Sequence, residues 1–521
     1  MTLASQYCMI GIDVGTTHIK AVIFNEWGTE ISKSVVGTPS MADSEYGQVW
    51  DPEAMWIAVA EATRSALTSL SQGVSPENDV RDSEIVGVAV AGVGESGVPL
   101  DCEGQALYPI IPWFDTRTVQ QAQWWAKEIG RERTAAITGL SVKSIYSAQK
   151  ILWLFQEVDG LSETIDTWLP VSSFISFRLT GERSIDYSQA SRTMLFDQAN
   201  LTWSQEFLDI AGIPRRILPE PVPSGTFIGR VTDLASRATG IPSGVPVFAG
   251  GHDHVCGALS VGATESGTVL DSCGTAESLV APCSDSSRMA DIIKNGFSVG
   301  SHVVRGMYYA MGGLYASGGA QDWFRYEFCG REASYGDLID LAGQSAPGSG
   351  GVIFIPRLLG SGPPDRDQRA TGAFTRIRPH VTLADFARAV LEGLSFELKM
   401  AVDAIEAGLK KPVRNIIAIG GGARNDLWLA IKAGVLRMPI EVPQVDEAVA
   451  LGAALLAGIG SGVYKDTEDA MAKARPARRI VLPDESLSRV YMDAFQTYTA
   501  VSRALLQVDR CHVQEDRSYG S

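Results

Sequence analysis

The chain is poor in cysteine, histidine and positive charge, and it has no long apolar run. Seven cysteines (Cys8, Cys102, Cys256, Cys273, Cys283, Cys329 and Cys511) are scattered over 521 residues, with no C-x-x-C pair. An odd, dilute set of this kind argues against a disulfide framework and fits free thiols in a reducing compartment. Basic residues number 44 against 60 acidic ones, a net charge of −16. A nucleic-acid partner ordinarily demands a basic surface, so that class is disfavoured. No stretch of about 18 apolar residues occurs, so no membrane span is expected. No basic segment precedes an apolar core at the N-terminus, so no signal peptide is expected either. A cytoplasmic protein is the consistent expectation. The Walker pattern G-x-x-x-x-G-K-[ST] is also absent.

What is present suffices for two or three full hydrophobic cores: 45% of residues are hydrophobic and 20% charged. Residues Cys8–Phe24 read as strand, polar Gly-Thr-Thr turn and strand, with a third strand near Glu30–Val36. Apolar spacing predicts a helix over Pro52–Ser71 and strands at Ile85–Ala91 and Val98–Asp101. Helical pattern also covers Thr118–Gly130 and Ala148–Glu157. A Pro-, Gly- and Ser-rich passage runs from Ile213 to Gly251 and places a domain boundary near Gly250. Beyond it, Gly267–Val280 repeats the strand, Gly-Thr turn, strand pattern of Ile10–Phe24. That echo predicts duplicated domains facing one ligand, with two unrelated hairpins as the alternative. A long helix is predicted over Leu383–Gly408, then a strand at Asn415–Ile419, three glycines, a helix from Asn425, a strand at Ile440–Val442 and a helix at Glu447–Ala457. The expected division is 1–249, 250–506 and a polar tail at 507–521 that frays.

The sharpest motif is Asp13-Val14-Gly15-Thr16-Thr17 with Lys20. A glycine in a tight turn exposes successive backbone N–H groups as an anion site. Thr16 and Thr17 add hydroxyl donors and Lys20 a positive charge. Asp13, at the strand end, can hold Mg²⁺ through water. Gly92-Val93-Gly94-Glu95-Ser96-Gly97 formally fits the dinucleotide fingerprint, but Val98-Pro99-Leu100 after it is extended where that fingerprint needs a helix. Glu95 then reads as a turn carboxylate, either hydrogen-bonding sugar hydroxyls or merely solvated.

Asp253 lies in Gly251-His252-Asp253-His254; zinc coordination by these histidines lacks any accompanying ligand motif, and general base is the better role. Gly274-Thr275 forms the second Gly-Thr turn, and Gly318 lies in a further Gly-rich loop. Gly420-Gly421-Gly422 before Asn425 would let a flat ring approach the backbone, with the Asn425 amide available to an adenine edge. Asp115 and Arg117 either line a polyol pocket or form a structural ion pair.

In order along the chain, these segments resemble the FGGY carbohydrate kinases, relatives of actin, hexokinase and the heat-shock chaperone ATPase. The resemblance runs from about Ile10 to Gly458. It implies an α/β fold of two ribonuclease-H-like domains with the active site in the cleft between them. It implies phosphoryl transfer from ATP with Mg²⁺ to a small sugar or polyol. Asp253 would be the base; Asp13, Thr16, Thr17, Lys20, Gly274 and Thr275 would serve the metal and phosphates. Gly318, Gly421 and Asn425 would lie by the nucleotide, and Glu95, Asp115 and Asp253 by the acceptor. The layout is similar to xylulokinases, but those carry Met-His-Gly at Gly94-Glu95-Ser96. Glycerol kinases carry Arg-Glu-Thr there, so a short-polyol kinase stays open. So does a non-catalytic nucleotide-dependent sugar-binding protein. Family habit alone suggests a homodimer.

Overall fold

A computed structural model describes residues 7–43, 45–72 and 84–516. The first half opens with the expected meander, β1 (Tyr7–Val14), β2 (His18–Asn25) and β3 (Glu30–Gly37). Helix α1 (Pro52–Gln72) follows, then β4 (Glu84–Gly92) and a short β5 (Gly97–Leu100). A mostly helical lobe, including α2 (Ser147–Glu157), precedes β6 (Phe227–Arg230), β7 (Pro246–His252) and α3 (Asp253–Ser260). The second half contains β8 (Thr268–Cys273), β9 (Glu277–Cys283), β10 (Ser298–Ser301) and β11 (Tyr308–Leu314). It continues through α4 (Ser317–Phe324), α5 (Leu383–Leu409), β12 (Asn415–Ile419) and α6 (Asp426–Leu436). β13 (Ile440–Pro443), α7 (Ala448–Ser461), β14 (Arg478–Val481) and α8 (Glu485–Asp516) end it.

The two sheets share a common order of five strands, to which the second adds β10 outside β11. The first has strand order β6-β7-β4-β1-β2-β3, the second β10-β11-β9-β8-β12-β13-β14. In each, an antiparallel three-strand meander is extended by two parallel strands, β4 and β7 beside β1, β12 and β13 beside β8. Each fifth strand carries one antiparallel edge strand, β6 or β14. Both Gly-Thr turns occupy the same place, between the first and second strands of their sheet. The internal echo read from the sequence is therefore a structural duplication.

Helices α3 and α7 lie between the sheets. One hydrophobic cluster joins Met9, Phe24 and Phe248 of the first sheet to Leu270, Val280 and Ile417 of the second through these helices. The helices are rich in Ala and Gly because the backbones nearly touch. A Cβ on Gly11 would sit 1.9 Å from the Ala450 carbonyl oxygen, and one on Gly452 would sit 1.9 Å from that of Cys256. Either substitution would force the two halves apart.

Two expectations need correction. The segment 118–130 is not one regular helix: Val119–Trp125 widens into a π turn at Ala126–Gly130 before a further helix at Arg131–Thr138. The polar C-terminal segment does not fray at residue 507, because α8 continues to Asp516. Asp509 accepts from the Thr371 N–H and hydroxyl, and Arg510 bonds Asp367, so the polar residues dock on a loop of the second half. Residues 517–521 lie outside the described residues.

Candidate active site

Parallel strands β1, β4 and β7 point their C-terminal ends to one edge of the first sheet, where open α/β sheets bind ligands. Asp13 ends β1, Glu95 follows β4 and Asp253 follows β7. In the first turn, Gly15 N–H bonds the His18 carbonyl at 3.0 Å, and Thr38 bonds the Gly15 and Thr17 carbonyls. These contacts clamp the turn while Thr17 stays exposed. Trp113 Nε1–H donates to Thr16 Oγ1 at 3.0 Å, joining the first Gly-Thr turn to the Trp113–Arg117 segment.

Asp13 is buried, and its nearest cation, Lys20, is 4.0 Å away. Burial pushes its carboxyl up to about 7; Lys20 opposes this, while Asp253 and Glu447 add to it. A desolvated carboxylate with two acidic neighbours and only a distant lysine is short of positive charge. That donor set fits a hydrated divalent cation. Lys20 is turned toward Glu447 Oε2 at 2.7 Å, at the start of α7 in the other half.

In the second half, the Gly274-Thr275 turn is exposed and is braced from behind by α4. Gly318 N–H donates to the Gly274 carbonyl and Gly319 N–H to that of Thr275. A Cβ on Gly318 would lie 2.6 Å from the Gly274 carbonyl oxygen, so this approach requires glycine. Gly420 has φ +87° and would clash with the Cys273 carbonyl if substituted, whereas a Cβ at Gly421 meets nothing. Gly421 thus leaves open backbone beside the second turn. Asn425 is partly committed: its Oδ1 caps α6 by accepting from Trp428 N–H at 3.0 Å.

Asp253 opens α3 and keeps some exposure while its surroundings are buried. Its Oδ1 accepts from His254 N–H at 2.6 Å and lies 3.4 Å from His252 Nδ1. The segment is held by a buried relay: Ser188 Oγ accepts from His252 N–H at 2.8 Å and is itself bonded to Asp186. Burial lowers His252 to about 3, so its ring stays neutral beside Asp253.

Glu95 sits at φ +66° in the turn between β4 and β5, and β5 is a strand, not a fingerprint helix. The carboxylate is not a free acceptor. Arg192 grips it, with Nε at 2.7 Å from Oε1 and Nη2 on the same oxygen. Asp115 is likewise engaged: Arg117 donates to it through Nε and Nη2 at 2.9 and 2.8 Å and through its backbone N–H. Of the two readings of that pair, the geometry is that of a bidentate ion pair stacked on Tyr46. Sequence reasoning missed Arg192, Tyr146 and Glu447; only the fold brings them to Glu95, Arg192 and Lys20, respectively.

Asp271, Cys273 and Glu277 also converge with metal-ligand spacing in the second half. Their shared space is filled by the Lys432 ammonium, 2.7 Å from Asp271, 2.8 Å from Glu277 and 4.0 Å from the Trp428 ring centroid. Burial alone would push this lysine down, but Asp271 and Glu277 outweigh it and hold it protonated. This is a buried ion-pair triad.

Two sheets with a common order of five strands, each with a Gly-Thr turn after its first strand and with helices between them, define the two-domain α/β architecture of actin-like ATPases. The comparisons agree. The N-terminal domain model of the FGGY family of carbohydrate kinases matches residues 8–260, and the C-terminal domain model matches residues 272–461. The chain belongs to the FGGY family of carbohydrate kinases and is an enzyme of that family. A xylulose kinase from Lactococcus lactis is 30% identical over 96% of this chain and 98% of its own. An L-fuculokinase from Escherichia coli is 29% identical over 92% and 98%. The crystal structure of a xylulose kinase from Rhodospirillum rubrum superposes with a TM-score of 0.85 at 26% identity, covering 96% of this chain and 100% of that one. No helix of the described residues is long and apolar enough to cross a membrane.

Proposed function

We propose that the protein transfers the γ-phosphoryl group of ATP to a hydroxyl of a small polyhydroxy acceptor, with Asp253 as general base. The observation that carries this reading is Asp253 itself: a partly exposed carboxylate fixed at the mouth of β7 and close enough to Asp13 to raise that residue's pKa. A base and a phosphate turn in one neighbourhood are what phosphoryl transfer needs, since its catalysis is mainly positioning and charge neutralisation. Thr16, Thr17 and Gly15 would present donors to the phosphates from the first half, Gly274 and Thr275 from the second. Lys20 would exchange Glu447 for phosphate oxygen. Gly318, Gly421 and Asn425 would border the nucleotide. Asp13 would hold Mg²⁺ through water, and the ion would neutralise charge on the phosphates. Asp253 would accept the acceptor's proton as its oxygen attacks phosphorus, and closure of the halves would exclude water.

The first half, through its turns and the β7–α3 junction, would thereby supply the acceptor groups, the first phosphate turn and the base, and the second half the second turn and nucleotide wall. Among neutral acceptors, a ketose of the kind named for the xylulose kinases is favoured by overall likeness. A short polyol is the second reading: glycerol kinases share the glutamate at position 95, though not the residue at Gly94. A panel of ketoses, aldoses, polyols, sugar acids and sugar phosphates assayed for acceptor-dependent ADP release tests the reading. ADP release that no acceptor stimulates would contradict it.

A further inference from the structure

Around Glu95 the cleft holds more positive charge than it neutralises. Arg192 is paired with Glu95. Lys143, four residues after Gly139, reaches from the first half to within 3.5 Å of the Tyr315 hydroxyl on the second. Arg366, from the second half, crosses the other way to donate through Nη1 to Ser141 Oγ at 3.0 Å. Among the described residues, no carboxylate lies within 4.0 Å of Lys143 or Arg366. The acids flanking Arg366 are spent elsewhere, Asp365 on Arg357 and Asp367 on Arg369 and Arg510. Arg366 Nε is buried with no partner, and the residue is held at φ +49°, a conformation that disfavours a side chain. Among the described residues, Glu95 is thus the one carboxylate facing Arg192 and Lys143, with Arg366 beside both and the buried Lys150 spent on the Ile145 and Glu95 backbone carbonyls.

The site is continuous with the catalytic centre. A Cβ on Gly94 would strike the His252 ring at 2.6 Å and Arg192 Cγ at 3.3 Å, so Arg192 borders the residue before Asp253. The Arg192 guanidinium also lies over the Tyr146 ring, 5.3 Å from its centroid. Burial, reinforced by Arg366 and Arg192, pushes the Lys143 ammonium down to about 7 even though Glu95 opposes the shift. Half-buried cations without a carboxylate partner are costly, and an anionic partner would relieve them.

We propose that the acceptor carries an oxyanion, a carboxylate or phosphate ester on a polyhydroxy chain, held by Lys143 and Arg366 across the closed cleft. This inference rests on the kinase reading and names its substrate class. The anion takes no part in the chemistry. Asp253 takes the proton of the acceptor hydroxyl, its oxygen forms a bond to the γ-phosphorus, and the bond from that phosphorus to the β–γ bridging oxygen breaks. ADP leaves with that electron pair. Each charge-assisted contact to the anion is expected to be worth about 10- to 100-fold in kcat/KM.

The test compares aldonates of four to six carbons, sugar monophosphates and neutral sugars and alditols of matched length as acceptors for the full-length enzyme with ATP. We expect an acidic acceptor to exceed its neutral counterpart at least 100-fold in kcat/KM. Lys143→Met and Arg366→Gln should each erase 10-fold or more of that advantage while changing neutral turnover less than threefold. The charge-keeping Lys143→Arg and Arg366→Lys should retain most of it, which separates a lost charge from a lost fold. Preference for aldonates or for phosphates identifies the oxyanion. A neutral acceptor turned over as well as any acid overturns the proposal and leaves the kinase reading standing. So does an equal loss for both classes in the variants. Acid-dependent turnover that survives Asp253→Asn would instead overturn the assignment of the base.

Discussion

Lys20 of the first half and Glu447 of the second meet at 2.7 Å across the junction, with Lys33 3.6 Å from the other Glu447 oxygen. On the proposed reading Glu447 would compete with an incoming polyphosphate for Lys20, and its own charge would repel that polyphosphate. Glu447→Gln should tighten binding of metal-free ADP, measured calorimetrically in EDTA. Lys20→Met should weaken it by about 10-fold or more, the scale of one charged hydrogen bond. Weaker binding in both variants would mean that the pair only joins the halves.

Lys432 holds Asp271 and Glu277 together in full burial. Lys432→Met would remove the cation this buried acid pair is built around. Glu277, already pushed up to about 8 by burial and Asp271, would take up a proton, and stability should fall by about 3–5 kcal/mol in urea titrations. Zinc should not raise the wild-type melting temperature, because the ammonium fills the space an ion would take. Stabilisation of the wild type by zinc would overturn this account of the triad.

His302 is buried, and burial lowers it from 6.5 to about 3. The unfolded chain protonates this residue at the ordinary value, so the stability it contributes is complete above pH 6.5 and is lost as pH falls from 6.5 toward 3. At pH 5 the loss is about 2 kcal/mol, from a gap of about 1.5 pH units. Between pH 7.5 and 5, wild type should lose that much more stability than His302→Asn, whose side-chain oxygen can still accept the Val304 N–H that His302 Nδ1 now receives at 3.0 Å. Parallel pH profiles for the two proteins would show that His302 protonates freely in the folded state.

Much of the candidate site's local structure was legible because its signals are local. Asp13-Val14-Gly15-Thr16-Thr17 declares strand and turn within eight residues of β1, and Asn415–Ile419 was bounded by residues that cannot continue a strand. The duplicated topology followed from the second Gly-Thr turn. What the sequence could not carry was pairing at a distance. Nothing near Glu95 announces Arg192, 97 residues away, and nothing near Lys20 announces Glu447. The cations Lys143 and Arg366 come from opposite halves and acquire meaning only when the cleft brings Arg366 to Ser141, 225 residues apart in sequence. The docking of Arg510 on Asp367 likewise overrode a polar composition that reads as a loose end.

The most direct measurement is the turnover of Asp253→Asn beside its nucleotide affinity. Removing the proton acceptor while keeping its shape should lower kcat by about 10²–10⁴-fold, the usual worth of a positioned base. The dissociation constant for ADP should stay within about twofold of wild type, because on this account the two turns, not Asp253, would hold the phosphates. A variant that phosphorylates its acceptor at the wild-type rate would contradict the account.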